Sequence, residues 1–407
     1  MLSEASLHEC VGYMMGSIRK ICEDFGPRPP GSAGERRCQE FLRDELTDAG
    51  FSPVIEAFPV SQTAFMTAPV IAGWLAILSV PCYWHDPRLS LALLLIAGLV
   101  FVAEVISYRH ILTPFFPRHT SHNLHAVLAP SGTVRRRIIL AGHADGAFEW
   151  RYQQLFPHLF MHFGQLAVLS ITYVLATTFA TVLSCGSHAP TEGFWWCVGV
   201  SQFVALPGLF VAATFTRFGV VAPGAVDNLS GALVSVGLAR QFKQVGVAPE
   251  NTEIIFMVTG SEEAGLCGAR AFMECHSKEW GDVETVFVAL ESFRDLEHLM
   301  VYDRDLNGSV HHHTGLCALL QNAMRHCGLV RKFGTVRVGA SDAAALTRAG
   351  LPAAMLCGMD PKPAHYYHCR RDSWEILDEQ CLFKTVQVVA AALEDYDRNG
   401  LPAAGQG

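Results

Sequence analysis

Charge is scarce in this chain. Aspartate, glutamate, lysine and arginine make up 17% of its 407 residues, against roughly 25% in an ordinary soluble domain. A basic stripe is lacking too. The formal net charge is −8, and the longest basic run, Arg135-Arg136-Arg137, precedes an apolar stretch as a strand flank. Nucleic acid is therefore excluded as a partner. None of the 13 cysteines falls in a C-x-x-C pair, which excludes a zinc ribbon and a thioredoxin-like redox motif. Residues 1–25 lack an apolar core of signal-peptide length. The cysteines are therefore expected to be reduced and mostly buried, in a cytosolic setting. Internal repeats and low-complexity tracts are missing as well.

What is abundant is apolar surface. Half of the residues are hydrophobic, and the mean hydropathy is +0.26. Much of this lies in four stretches, Ala64–Trp84, Leu89–Ser107, Phe163–Leu183 and Gly193–Thr216, each near the roughly 20 residues that span a bilayer. Three carry no charged side chain and the second carries only Glu104. Short links, His85–Arg88 and Cys185–Glu192, pair them into two hairpins. One such stretch is compatible with a buried core helix, but four in hairpin pairs predict membrane spans. Trp74, Trp84, Trp195 and Trp196 include positions near segment ends, as interfacial aromatics do.

The remaining chain has globular periodicity. Helices are predicted over 6–22, 34–49, 230–244, 268–275, 315–326 and 379–396, and strands over 52–60, 123–128, 137–141, 253–258, 285–290 and 352–356. Pro and Gly in Phe25-Gly-Pro-Arg-Pro-Pro-Gly-Ser-Ala-Gly interrupt the first two helices. Apolar strands alternating with helices predict an α/β three-layer sandwich with a mixed, largely parallel central sheet. The residues after Asn399 read as a short loose tail. The predicted catalytic domain is 1–63, 112–158 and 217–407, with transmembrane hairpins at 64–111 and 159–216.

Chemistry-bearing residues gather at the strand ends. His143 follows the apolar strand Ile138–Ala141, where an α/β fold places its ligand crevice. Asp145, two residues on, can accept the second imidazole N–H. Asp227 sits in the turn Ala225-Val-Asp-Asn-Leu-Ser-Gly231, a position that alone suits a helix N-cap. Glu262 and Glu263 lie together just past a buried strand, where two carboxylates repel unless a cation is near. One can ligate a metal while the other stays free to take a proton. Glu291 ends the run Val286–Leu290, and His368 follows a Pro-containing loop. Two histidines among several carboxylates suit a divalent ion, and two ions sharing a carboxylate make a hydrolytic clamp. The run His311-His312-His313 cannot converge on one ion and reads as a polar strand or loop.

These motifs, in this order, resemble the co-catalytic zinc aminopeptidases, the group that includes bacterial leucine aminopeptidase, aminopeptidase S and glutamate carboxypeptidase II. The resemblance rests on Phe25-Gly-Pro-Arg-Pro-Pro-Gly-Ser, Asn123-Leu-His-Ala-Val-Leu, Gly142-His-Ala-Asp, Val226-Asp-Asn-Leu-Ser-Gly, Ser261-Glu-Glu-Ala-Gly-Leu, Ser341-Asp and His368-Cys-Arg-Arg-Asp. It implies two Zn2+ per chain bridged by Asp227, with His143 and Glu291 at one ion and Glu263 and His368 at the other. It makes Glu262 the general base and Asp145 the partner of His143. Glu291 departs from the family's more usual Asp, and both hairpins are insertions on which the family is silent.

The expected activity is metallo-exopeptidase chemistry, aminopeptidase first, on peptide or amide substrates, with hydrophobic ones preferred given the hairpins beside the site. Tyr366 or Tyr367 is a candidate for holding the oxyanion, although a packing role is favoured for them. Arg294 or Arg370 would pair a substrate carboxylate if the enzyme were instead an amidase or carboxypeptidase acting on a lipid-linked substrate. An inactive scaffold would have no need of the intact Glu262-Glu263 pair. Four spans put both termini on one side. Arg109, Arg118, Arg151 and Arg217 flank that side against Arg88 opposite, so the catalytic domain of this integral membrane protein is expected in the cytosol. The oligomeric state is left open, a homo-oligomer included.

Overall fold

The structure, a computed structural model, describes residues 2–186, 188–278, 282–362 and 364–402. The end of the expected loose tail, 403–407, lies outside them. The chain divides into two compact units, Met1–Gln62 with Pro117–Ala147 and Val221–Gly407, and Thr63–Phe116 with Phe148–Val220.

The first unit opens with α1 (Glu4–Asp24) and α2 (Ala33–Asp48), followed by β1 (Val54–Val60), β2 (His119–Leu128) and β3 (Arg136–His143). After the Asp227 turn come α3 (Gly231–Val245), β4 (Thr252–Thr259), α4 (Cys267–His276), β5 (Glu284–Phe293) and β6 (Leu299–Asp305). The unit closes with β7 (Val310–His311), α5 (Thr314–His326), β8 (Gly334–Thr335), α6 (Asp342–Arg348), β9 (Ala353–Gly358) and α7 (Glu379–Asn399). Side-chain caps start several helices: Ser3 accepts from Ser6 N, Ser32 from Glu35 N and Asp378 from Cys381 N.

The sheet has nine strands in the order β1-β2-β4-β3-β5-β9-β6-β8, with β7 on β6. Its centre, β4-β3-β5-β9, is parallel, whereas β1, β2 and the β9–β6 pairing are antiparallel. Alternate residues feed opposite faces, as the pleat requires. Ile138, Leu140, Phe256, Val288 and Leu356 pack with α1, α3, α5 and α7. Ile139, Ala141, Met257, Phe287 and Met355 pack with α4 and α6. The fold is mixed α/β in three layers, in agreement with the sequence. Strands β6 and β8 and helix α6 were not expected, and β7 takes in the start of the His311-His312-His313 run that reads as a polar strand or loop. Leu299–Asp305 mixes apolar and charged residues because it is only half buried along its length, and α6 is only seven residues long.

Among the described residues, the second unit holds four helical segments long and apolar enough to cross a membrane, Ala64–Cys82, Pro87–Ile106, Pro157–Cys185 and Gly193–Ala213, and a two-stranded ribbon of Phe148–Trp150 with Thr216–Val221. Its apolar side chains point outward: Leu95, Leu99, Val168 and Leu169 are all more than half exposed. Polar ones turn inward. The Gln202 amide donates to Thr177 and Thr178 hydroxyls, and Tyr83 shares a hydrogen bond with Thr181. The last apolar stretch is not one continuous helix. It breaks into Gly193–Ser201, a tight turn at Gln202–Ala205 and Leu206–Ala213, because Pro207 has no N–H to donate back.

Helix α3 lies so close to the sheet that glycine is required at its start. A Cβ on Gly231 would sit 2.0 Å from the Leu290 carbonyl oxygen, whereas Gly16 on the exposed face of α1 has open space. Gly231→Ala is expected to destabilise the protein by about 1–3 kcal/mol through overpacking, and Gly16→Ala to stabilise it by roughly 0.5–1 kcal/mol. Thermal unfolding in detergent reads both shifts, and equal midpoints for the two variants would contradict this packing.

Candidate metal centre

Six side chains converge at the carboxyl ends of the parallel strands. His143 is the last residue of β3, and Glu262 and Glu263 lie in the turn between β4 and α4. Glu291 lies inside the last turn of β5, two residues before its end, rather than beyond the strand. Asp227 precedes α3 and is joined to Asn228 by a cis peptide bond, and His368 lies in the loop after β9. Ser261, Ser292 and His368 all adopt left-handed backbone, with φ of 53°, 52° and 50°. Such non-glycine conformations carry strain and persist where surrounding contacts enforce them.

Asp227 is central. One carboxylate oxygen is 3.3 Å from His143 Nε2 and the other 3.1 Å from His368 Nε2. His368 Nε2 is also 3.1 Å from Glu263 Oε1, while His143 Nε2 is 3.9 Å from Glu291 Oε2 and 3.8 Å from Glu262 Oε2. Two overlapping clusters result, His143-Asp227-Glu291 and Asp227-Glu263-His368, each with ligand atoms close enough to share one ion. Glu262 joins a third grouping with His143 and Glu263.

The donor set fits zinc, which binds imidazole nitrogen and carboxylate oxygen. Asp227 Oδ2 and Glu263 Oε1 are buried and lack a well-directed hydrogen bond, although His368 stands beside both. Burial raises the pKa of Glu262 and Glu291 well above the carboxylate range, with neighbouring acids adding to it, and raises that of Glu263. Burial opposes charge on the histidines, yet contacts with Asp145 and Asp227 carry His143 well above its ordinary value. Glu263 and Asp227 likewise raise His368 to about 10. Burial opposes ionisation of Asp227 too, but the two histidines hold its carboxyl below the ordinary range. In the absence of a cation the cluster therefore balances itself with protons.

Surrounding groups hold these ligands. His143 Nδ1 lies 3.3 Å from Asp145 Oδ1, which favours the tautomer that leaves Nε2 free for a metal. The same carboxylate accepts from Glu262 N and Glu263 N, at 3.1 and 3.0 Å. Asp372 accepts from Val226 N and Asp227 N. The Asn228 amide donates to Glu291 Oε2 and the Leu290 carbonyl, and its oxygen accepts from Gly231 N and Ser292 N. Asn228 and Asp372 were visible in the motifs but had been given no role. Their polar side chains, set beside apolar runs and candidate metal ligands, are the available signal.

The other candidates lie differently. Tyr366 is fully buried and donates to Asp295 Oδ2. Arg294 binds Asp295 and the Ile376 carbonyl and lies over the Tyr366 ring. Tyr367 is partly exposed and stacks on His368 with ring centres 3.8 Å apart. The three consecutive histidines diverge: His311 is exposed on β7, His312 is buried against Asp305 and Thr347, and His313 caps α5.

The fold is similar to that of solved aminopeptidases. It is similar to an aminopeptidase from Aneurinibacillus sp. strain AM-1, at TM-score 0.57 and 13% identity over 97% of this chain and 96% of that one. It is similar to a zinc aminopeptidase from Bacillus subtilis, at TM-score 0.58 and 15% identity over 95% of each chain. A glutaminyl cyclase from Fimbriiglobus ruber has TM-score 0.56 and 16% identity over 94% of each. The family model described as Peptidase family M28 matches residues 209–393. That stretch contains Asp227, Glu262, Glu263, Glu291 and His368, and leaves His143 outside.

Because the apo cluster holds protons that a metal must displace, zinc affinity is expected to rise with pH. The raised carboxyls and imidazoles are protonated at lower pH and compete with the ion. Between about pH 8 and pH 6 the affinity should fall steeply. Calorimetry in buffers of different ionisation enthalpy should show proton release on binding, and an affinity independent of pH would contradict the assignment.

Proposed function

We propose that this chain is a membrane-anchored, dizinc metallo-exopeptidase, an aminopeptidase in the first instance. The observation that carries the reading is Glu262 standing beside two His-carboxylate clusters that share Asp227. His143, Asp227 and Glu291 would hold one zinc ion, and Asp227, Glu263 and His368 the other. The bound ions would supply Lewis acidity toward the scissile carbonyl and toward water. Glu262, free of the two ligand clusters, takes a proton from the attacking water and passes it to the leaving amine. Its burial among acids keeps its basicity high enough for that exchange. Asp145 orients His143 and pins the backbone of both glutamates. Tyr367, beside His368 and partly exposed, is the better placed of the two tyrosines to meet substrate. With its hydroxyl committed to Asp295, Tyr366 supports that loop instead, and Arg294 shares the same carboxylate.

A second reading follows from the glutaminyl cyclase of the same fold. Fold alone does not separate cyclisation of an N-terminal residue from its hydrolysis, and both chemistries need a base beside zinc. The full pair of clusters favours hydrolysis. A panel of aminoacyl, peptidyl, N-acyl and N-terminal glutaminyl substrates separates the readings: release of free amino acids supports ours, and cyclised product alone overturns it.

Glu262→Gln should retain zinc and lose about 10²–10⁴-fold in turnover, whereas Glu263→Gln should weaken zinc binding itself. Loss of zinc from Glu262→Gln but not from Glu263→Gln would reverse the two roles.

For the apolar hairpins we propose four membrane spans with the catalytic unit in the cytosol. Arg109, Arg118, Arg151 and Arg217 flank the spans on that side, with Arg88 alone opposite. An impermeant thiol reagent applied to intact cells should label the links near Cys82 and Cys185 and spare the exposed Cys275. Labelling of Cys275 alone would overturn the orientation, and extraction by carbonate without detergent would remove the spans.

A further inference from the structure

The segment between α1 and α2, Gly26-Pro-Arg-Pro-Pro-Gly-Ser-Ala-Gly-Glu35, buries two ionisable side chains that the chemistry above does not use. Arg28 and Glu35 are each 1% exposed. Burying a charge is costly unless it is well hydrogen-bonded, so their partners matter.

Arg28 Nε donates to the Ala144 carbonyl at 2.9 Å, and Nη2 donates to the Pro223 and Gly224 carbonyls at 2.6 and 3.2 Å. The Arg28 carbonyl in turn accepts from Gly146 N at 2.9 Å. One residue thus ties the loop that follows His143 to the loop that leads into Asp227. Gly224 makes room for it, since a Cβ there, at φ +66°, would lie 2.8 Å from Nη2.

Glu35 acts on the third loop. Its carboxylate accepts from Ser261 N at 2.6 Å, and from Gly31 N and Ser121 Oγ at 2.8 and 2.9 Å. Ser261 is the left-handed residue immediately before the Glu262-Glu263 pair. With Asp145 on the next two amides, three successive N–H groups of that turn end on two carboxylates. The segment itself has little freedom: it carries three prolines, and a Cβ on Gly34 would fall 2.1 Å from the Pro27 carbonyl oxygen.

We propose that Arg28 and Glu35 are positioning residues that lock the loops carrying His143, Asp227 and Glu262-Glu263 in mutual register, and so set metal affinity and the aim of Glu262 without touching metal or substrate. This rests on the dizinc reading for its catalytic half. An apolar residue at either position would fill the space but could not join these loops, because the bonds end on main-chain groups.

The test uses the full chain in detergent with three variants, Arg28→Lys, Glu35→Ala and Gly224→Ala, the last crowding the guanidinium, and the Asp227 carbonyl beside it, while keeping every charge. Zinc affinity is read by chelator competition, kinetics as separate kcat and KM, and loop order by amide hydrogen exchange of the zinc-free protein. Each variant should lose about 10–100-fold in zinc affinity, as for other groups that orient ligands. The fall in activity should appear in kcat more than in KM. Exchange should quicken at 143–146 and 223–227 for Arg28→Lys and Gly224→Ala, and at 261–263 for Glu35→Ala, with the sheet unchanged. Unchanged zinc affinity in a folded variant, or exchange that quickens uniformly over the unit, would overturn the proposal. Wild type that binds no zinc would defeat the dizinc reading, and the exchange pattern would still decide whether the clamp exists.

Discussion

The constraint on which the first unit depends is the crowding of buried acids around Asp227. Asp227, Glu262, Glu263 and Glu291 all lie within reach of two imidazoles. In a low-dielectric pocket such a group is stable only with protons or cations between its members. The burial-driven rise in the carboxyl pKa values expresses the first solution, and the clustering of donors offers the second. Everything nearby serves to keep the acids from relaxing apart. Asp145 and Asp372 take the backbone amides of the ligand residues, Asn228 ties Glu291 to the start of α3, and glycine at 231 lets that helix approach β5.

Much of this was legible in the sequence, for a definite physical reason. A parallel sheet buried on both faces needs continuous apolar strands, so a histidine or acid at the end of such a run stands out. His143 after Ile138–Ala141, Glu262-Glu263 after Glu253–Val258 and Glu291 after Val286–Leu290 were found in this way, and the structure brings them together with Asp227 and His368. The flanks were harder to read. Strand β6 pairs antiparallel to β9 and is only half buried, which blurs its pattern, and β7 and β8 are two residues each. A packing role for Tyr366 is what the sequence favours, but its partner is not readable there. Whether an aromatic next to a ligand faces substrate or core depends on Asp295, more than seventy residues away in sequence.

The second unit was legible at the level of composition and length, and less so in its interior. Its four segments are recognisable from apolar runs alone. The interior polar contacts, Gln202 with Thr177 and Thr178 and Tyr83 with Thr181, required the helices to be placed side by side. Between apolar helices, close packing at small residues and such hydrogen bonds supply specificity. The approach of Gly208 to Ser170 and of Gly73 to Ala213 fits that rule.

The central claim is that one carboxylate, Asp227, organises two metal sites. Its most direct test is the zinc content of purified wild type and of Asp227→Asn, by elemental analysis after zinc loading and desalting. Two zinc ions per wild-type chain are expected, with loss of both, or occupancy well below one, in the variant. A single ion in wild type, or a variant that keeps its full complement, would contradict it.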